Sequence, residues 1–323
     1  MNILITGGAG FIGSNLAAYF LDHPEVEIVR VLDDLSNGYI ENVDRLRGRP
    51  GYEFVRGDIR DYDTCVSAMK NIDRITHQAA LGSVPRSIEN PMATNAVNVG
   101  GTVNVLHAAQ ASGIDRVVLA FSSSTYGDSE ELPKVEERIG APLSPYAVSK
   151  VAAEQYAHVF KLTYGLDYIG LRYFNIFGPH QNPNNPYAAV IPIFCKAFIQ
   201  GKTPTINGDG TYSRDFTNIA NAIQANELAL FTDRSEALNE VYNVACGDQI
   251  SLNEMVTDLQ KISGKTIEPH YGPLRPGDVP HSRADISKIE SRLGYQPQVR
   301  FYQGLEEVYH WYKDQIEKGA LAG

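Results

Sequence analysis

Cysteine is scarce in this 323-residue chain: Cys65, Cys195 and Cys246 are scattered and odd in number. That excludes a disulfide framework and provides no set of zinc ligands, so all three read as reduced packing residues and no metal is expected. Positive charge is also in deficit, with 28 Lys and Arg against 38 Asp and Glu, a net charge of −10. No basic stripe exists to neutralise phosphates, which argues against nucleic acid as a partner. An anionic small molecule would have to meet local cations instead. Long apolar runs are missing too: none approaches the ~20 residues of a membrane span. The opening MNILITGGAG reads as a strand and turn, not as a charged and apolar leader. The expectation is a cytoplasmic protein without a membrane partner. What remains is ordinary globular composition, 43% hydrophobic and 20% charged, enough for a sizeable core and a second, smaller lobe.

Strand and helix signals alternate along the chain. NILIT (2–6), IVRVLDD (28–34), YEFVRGD (52–58), DRITHQAA (73–80), RVVLAFSSS (116–124) and YIGLRYFN (168–175) read as strands. Helical stretches such as SNLAAYFLDH and GTVNVLHAAQASG lie between them, the latter closed by Gly113 as a C-cap. Branched apolar runs separated by helices imply parallel strands buried on both faces, hence an α/β fold with a doubly wound parallel sheet. Beyond residue 176 the Pro- and Asn-rich FGPHQNPNNPYAAVIP cannot stay regular for long. The expected division is a dinucleotide-binding domain over 1–175, with 216–246 returning to it, and a smaller α/β lobe over 176–215 and 247–323.

Three stretches carry chemistry. TGGAGFIGS (6–14) sits between the first strand and first helix. Gly7, Gly10 and Gly13 allow a tight turn, backbone approach to a pyrophosphate, and close packing of helix on strand. The G-x-x-G-x-x-G spacing meets the dinucleotide fingerprint only approximately, but Asp33 closes the second strand, where it can accept hydrogen bonds from ribose hydroxyls and repel a 2′-phosphate. That favours NAD over NADP. Asp58, ending the third strand, can hold the adenine amino group. In SPYAVSK (144–150), Ser144 and Pro145 start a helix, and Tyr146 and Lys150 then share one face a turn apart. A phenol titrates near pH 10, too high for a base at neutral pH. The expectation is that the lysine ammonium, helped by a positively charged nicotinamide ring, lowers that value. FSSSTYGD (121–128) then explains itself: a strand expected to neighbour the glycine-turn strand ends in hydroxyls, where a doubly wound sheet binds ligands. Each stretch alone also fits an ordinary turn or surface helix.

Taken in order and spacing, TGGAGFIGS, LDDLSNG, GDIRD, HQAA, FSSSTYGD, SPYAVSK and LRYFNIFGP resemble the extended short-chain dehydrogenase/reductase family from residue 2 to about 310. Through ALGSVPRSI (80–88) and RPGDVPHSRADISK (275–288) the chain is similar to the nucleotide-sugar 4-epimerases, especially the branch acting on UDP-N-acetylglucosamine. The resemblance implies Ser122, Tyr146 and Lys150 as catalytic residues. For the cofactor it implies Gly7, Gly10, Phe11, Ile12 and Gly13 in the first turn, and Asp33, Asp34, Asn37 and Gly38 after the second strand. Asp58 and Ile59 follow the third strand; Gln78, Ala79, Ala80, Asn98 and Tyr173, with Tyr146 and Lys150, complete that set. For the UDP-sugar it implies Gly82, Ser83, Ser122, Ser123 and Ser124, then Asn175, Gln181, Ala189 and Val190, and finally Tyr212, Arg214, Arg275, Asp278 and Ser282. The two arginines are the local cations an acidic chain needs for a diphosphate. In the family, the position held here by Ser282 gates the pocket around the sugar's C2 substituent, and a small residue admits N-acetyl.

The implied reaction is C4 epimerisation of a UDP-hexose, with NAD taking and returning one hydride. UDP-N-acetylglucosamine is the expected substrate, with UDP-glucose turnover beside it. A UDP-glucose epimerase without N-acetyl activity, a UDP-glucuronate epimerase or decarboxylase, and a non-catalytic NAD-binding sensor are the alternatives. The 4,6-dehydratases of the family carry Asp-Glu directly after their catalytic Thr, where this chain has Ser123 and Ser124. A homodimer through a four-helix contact is the family's usual assembly.

Overall fold

The computed structural model describes residues 1–183, 189–274 and 279–319. Its strands are β1 (Asn2–Thr6), β2 (Ile28–Asp33), β3 (Tyr52–Arg56), β4 (Arg74–His77), β5 (Arg116–Ser122), β6 (Asp167–Tyr173), β7 (Ile176–Phe177), β8 (Thr205–Asn207), β9 (Ser213–Arg214), β10 (Thr217–Asn218), β11 (Glu240–Val244), β12 (Ile250–Ser251) and β13 (His270–Gly272). The helices are α1 (Phe11–Phe20), α2 (Ile40–Asp44), α3 (Tyr62–Ala68), α4 (Val84–Glu89), α5 (Pro91–Asn95), α6 (Thr102–Ala111), α7 (Pro145–Tyr164), α8 (Val190–Gln200), α9 (Ile219–Phe231), α10 (Leu252–Ser263), α11 (Ser287–Leu293) and α12 (Phe301–Glu317).

Seven strands form one parallel sheet in the order β11-β6-β5-β4-β1-β2-β3. In β1, Ile3 and Ile5 enter the core on one face while Leu4 enters the core on the other. In β5, Val118 faces the first of these and Val117, Leu119 and Phe121 the second. Period-2 alternation therefore buries both faces, which is why these strands read as unbroken apolar runs. The strand order corrects one expectation: β5 does not neighbour β1, because β4 pairs with both. The chain winds outward from β1 through β3 and returns on the other side of β1, so the crevice at the carboxyl ends of β1 and β4 is the switch point. The strands are also shorter than their apolar runs. Gln78–Ala80, Ser123–Ser124 and Phe174–Asn175 lie beyond the strand ends, as crevice loops and a 3₁₀ turn.

A third core, built from Phe177, Phe194, Phe198, Phe216, Leu259, Phe301 and Tyr312 among others, ties α8, α10 and α12 into the smaller lobe. Ile289, Leu293 and Tyr295 instead pack against the sheet side with α9 and β11, so α11 departs from the expected division over 247–323. The expected Gly113 cap is found one residue beyond the last capped position, with φ 74°. Cys65, Cys195 and Cys246 are buried and unpaired. Among the described residues no helix is long and apolar enough to cross a membrane.

Candidate active site

One continuous cleft of about 1270 Å³ runs over the carboxyl ends of the strands. Its first half grows from the turn between β1 and α1. Gly7 adopts φ 72°, and a Cβ there would lie 2.6 Å from the Ala79 backbone; a Cβ on Gly13 would lie 2.3 Å from the Gly7 carbonyl oxygen. Only glycine lets loop, helix and β4 approach this closely. α1 has no side-chain cap, so its first-turn N–H groups, on Phe11, Ile12 and Gly13, are left for a ligand at the cleft wall. Asp33 ends β2 with one carboxylate oxygen accepting from Ala9 N at 2.9 Å and the other from Leu35 N at 2.8 Å. Burial pushes its pKa up, against the pull of those two bonds. Asp34, Asn37, Gly38, Asp58, Ile59, Gln78, Ala79, Ala80 and Tyr173 join the same wall. Asp58 is held by Arg60 at 2.8 Å, which lowers its pKa. The backbone cradle, the uncapped helix and the acid at the end of β2 together fit an adenine dinucleotide without a 2′-phosphate.

Ser122, Tyr146 and Lys150 line the same cleft. Ser144 caps α7 by accepting from Ala147 N at 3.1 Å, with Pro145 at the first helical position, and this start aims Tyr146 and Lys150 inward. Lys150 Nζ lies 5.9 Å from the Tyr146 ring centroid and donates to the Ala120 carbonyl at 2.8 Å. Burial lowers the lysine pKa to about 8, with Glu154 one turn on opposing the shift. The Tyr146 pKa departs from the expected direction. Burial raises it, and the hydrogen bond from Ser122 only partly pulls it back. The protein's own groups therefore hold a neutral phenol.

Towards the smaller lobe, Gly82, Ser123, Ser124, Asn175, Gln181, Ala189, Arg214 and Ser282 line the cleft. Ser124 Oγ and Gln181 Oε1 are buried with no protein partner, as is Gln78 Oε1 in the other half. Polar atoms kept dry and unpaired in a cleft wall suit ligand hydrogen bonds. Four expected residues stand off this wall. Asn98 is buried behind it, bonded to Leu81 N at 2.8 Å and Ser149 Oγ at 3.0 Å; Ser83 caps α4, accepting from Arg86 N. Val190 opens α8, and the Tyr212 ring lies 6.3 Å from that of His281. Arg275 and Asp278 lie outside the described residues.

The sequence reading missed several groups behind these walls. Arg172 makes a two-pronged ion pair with Glu154 at 2.8 and 2.7 Å, both side chains nearly fully buried. Arg172 also reaches the Tyr126 hydroxyl at 3.2 Å. Glu154 follows Lys150 by four residues on α7, so helical spacing carried a signal for it. Lys134 lines the cleft and is buried; nothing in its local sequence marked it.

A family model described as GDP-mannose 4,6 dehydratase matches residues 4–308. A putative UDP-glucose 4-epimerase of Methanocaldococcus jannaschii is 36% identical over 314 residues, 97% of this chain and 98% of that protein. Among solved structures, the UDP-N-acetylglucosamine 4-epimerase from Methanobrevibacter ruminantium M1 in complex with UDP-N-acetylmuramic acid superposes with a TM-score of 0.91 at 36% identity, covering 97% of this chain and 98% of that one. The UDP-glucose 4-epimerase of Thermus thermophilus in complex with NAD gives 0.87 at 33% identity, covering 97% and 99%.

Proposed function

The chain belongs to the extended short-chain dehydrogenase/reductases of the GDP-mannose 4,6 dehydratase family, and from that premise we propose that it is an NAD-dependent UDP-sugar 4-epimerase acting on UDP-N-acetylglucosamine and its galacto epimer. UDP-glucose is the secondary substrate. The observation that carries the reading is the convergence, in one cleft, of the glycine cradle, the Ser122–Tyr146–Lys150 group and the Asn175–Arg214–Ser282 wall. Bound NAD would accept the C4 hydride and give it back. Tyr146 takes the 4-hydroxyl proton and returns it to the same oxygen when the turned keto sugar is reduced on its other face; Ser122 hydrogen-bonds that oxygen. Lys150 supplies positive charge close to the phenol. Because Tyr146 is held above its ordinary pKa by burial, it becomes an effective base only when the lysine is joined by the cofactor's charge.

Net redox is zero, so the cofactor stays while the 4-keto sugar turns. Asn175 and Arg214 therefore have to grip the nucleotide, not the sugar. Ser282 leaves room for an acetamido group at C2, which supports the N-acetyl branch. Ser123 and Ser124 put hydroxyls where a 4,6-dehydratase needs two carboxyls, which disfavours dehydration.

A homodimer is part of the reading. Val148, Val159 and Leu162 are 54%, 47% and 71% exposed along one stripe of α7, and Met92 on the adjoining α5 is 80% exposed. An apolar surface of this kind suits a helix-to-helix contact with a second copy.

The test is to incubate the purified protein with UDP-N-acetylglucosamine, adding no cofactor, and to separate the products by chromatography. UDP-N-acetylgalactosamine should accumulate to a fixed ratio, and denatured protein should release NAD. Conversion that requires a consumed oxidant, or no conversion of any UDP-hexose, would remove the epimerase reading.

A further inference from the structure

Asp215 is the most deeply buried carboxylate near the cleft, fully inaccessible, and no step assigned above uses it. It follows Arg214 directly and stands at the meeting point of four segments. One carboxylate oxygen accepts from Cys246 N at 3.0 Å, just past β11. The other accepts from Gly247 N at 3.0 Å and from Ala284 N at 3.2 Å. Its own carbonyl accepts from Asn175 Nδ2 at 3.0 Å. Two residues earlier, Ser213 extends the seam: Ser213 N donates to the Pro280 carbonyl at 3.0 Å, and Ser282 N to the Ser213 carbonyl at 3.1 Å. Ser213 Oγ meets His281 Nδ1 at 2.8 Å and accepts from Gln249 Nε2 at 2.7 Å. On its other side the 283–285 strip is held by Lys134, whose N donates to the Arg283 carbonyl at 2.7 Å and whose carbonyl accepts from Asp285 N at 2.9 Å.

Arg214, Asn175 and Ser282 come from three separate stretches of chain and carry the nucleotide grip and the sugar gate. We propose that Asp215 is a positioning residue for substrate, the knot that fixes those three side chains relative to one another. The role rests on the UDP-sugar reading above. Burial pushes the Asp215 carboxyl up to about 7 against the pull of its three N–H donors. A carboxylate bonded by backbone alone is costly to bury, and its place here is explained by what it ties together.

The test is Asp215→Asn, nearly isosteric but with an NH₂ facing one of the backbone donors. Misplacement of the grip should raise KM for UDP-N-acetylglucosamine by about tenfold or more, with kcat within about threefold and NAD still co-purifying. UDP itself, titrated by calorimetry, should bind correspondingly more weakly. Ser213→Ala, which removes the His281 and Gln249 link and leaves the carboxylate alone, should shift KM in the same direction by about two- to fivefold. Unchanged KM in both variants overturns the role. So does loss of kcat at constant KM, or an Asp215→Asn protein that unfolds while Ser213→Ala behaves as wild type. A wild-type protein that retains NAD yet binds no UDP would overturn the nucleotide-sugar reading itself, and this role with it.

Discussion

The wall that carries Ser122, Tyr146 and Lys150 grows directly from regular structure: Ser122 is the last residue of β5, and Tyr146 and Lys150 sit in the first turns of the 20-residue α7. The facing wall has no such root. Arg214 and Ser282 belong to a two-residue strand and an irregular strip, and their register depends on Ser213, Asp215 and Lys134. A helix and an inner strand fix Ser122, Tyr146 and Lys150 to the sheet, so on the proposed reading the chemistry would be the same for every sugar. Stitched segments can be re-registered by single changes, and on the proposed reading choice of sugar would be set there. If this contrast is right, changes on the first wall remove turnover whatever the sugar, and changes on the second alter which sugar is turned over.

The largest effect is expected from Tyr146→Phe. It keeps the ring and loses the proton-carrying oxygen, so kcat should fall by about 10²-fold or more for UDP-N-acetylglucosamine and UDP-glucose alike. Retained NAD and an unchanged thermal unfolding curve would show that the loss is chemical. A variant that still turns over normally would break the contrast at its first wall.

Ser282→Tyr should act more selectively. A ring added at Ser282 would occupy the space where the proposal places the C2 acetamido group, and a close-packed binding site has little room for that volume. kcat/KM for UDP-N-acetylglucosamine should drop by about 10- to 100-fold while that for UDP-glucose stays within about threefold, since the discrimination is steric. Equal losses for both sugars would move Ser282 out of the C2 pocket.

The smallest effect is in pH. Burial sets the Lys150 pKa at about 8, below its ordinary value, so the ammonium is present below that pH and lost above it. kcat should therefore decline by about two- to fivefold between pH 8 and 9, for either sugar. A rate that keeps rising to pH 9.5 would mean that Lys150 stays charged.

The first wall was legible in the sequence because it is local. Ser144-Pro145 announces a helix start, and four-residue spacing places Tyr146 above Lys150 without any knowledge of the fold. The glycine turn and Asp33 likewise follow from one strand–turn–helix unit. The knot at Asp215 was not legible: its partners Cys246, Gly247, Ala284 and Asn175 lie 31 to 69 residues away, and a backbone N–H leaves no residue signature. Asn98, which the resemblance assigns to the cofactor set, props Leu81 from behind the cleft wall, a placement that no motif in the sequence marks. The position of β5 was not legible because the apolar runs at 2–6 and 116–122 carry no record of which strand pairs between them.

The central claim is that one hydride leaves C4 and returns to the same carbon while the cofactor stays in place. UDP-N-acetylglucosamine deuterated at C4, incubated with purified protein without added NAD and followed by mass spectrometry, tests it directly. The account predicts that the galacto epimer keeps its deuterium. Epimer that has exchanged the label for solvent hydrogen, with turnover otherwise normal, would contradict it.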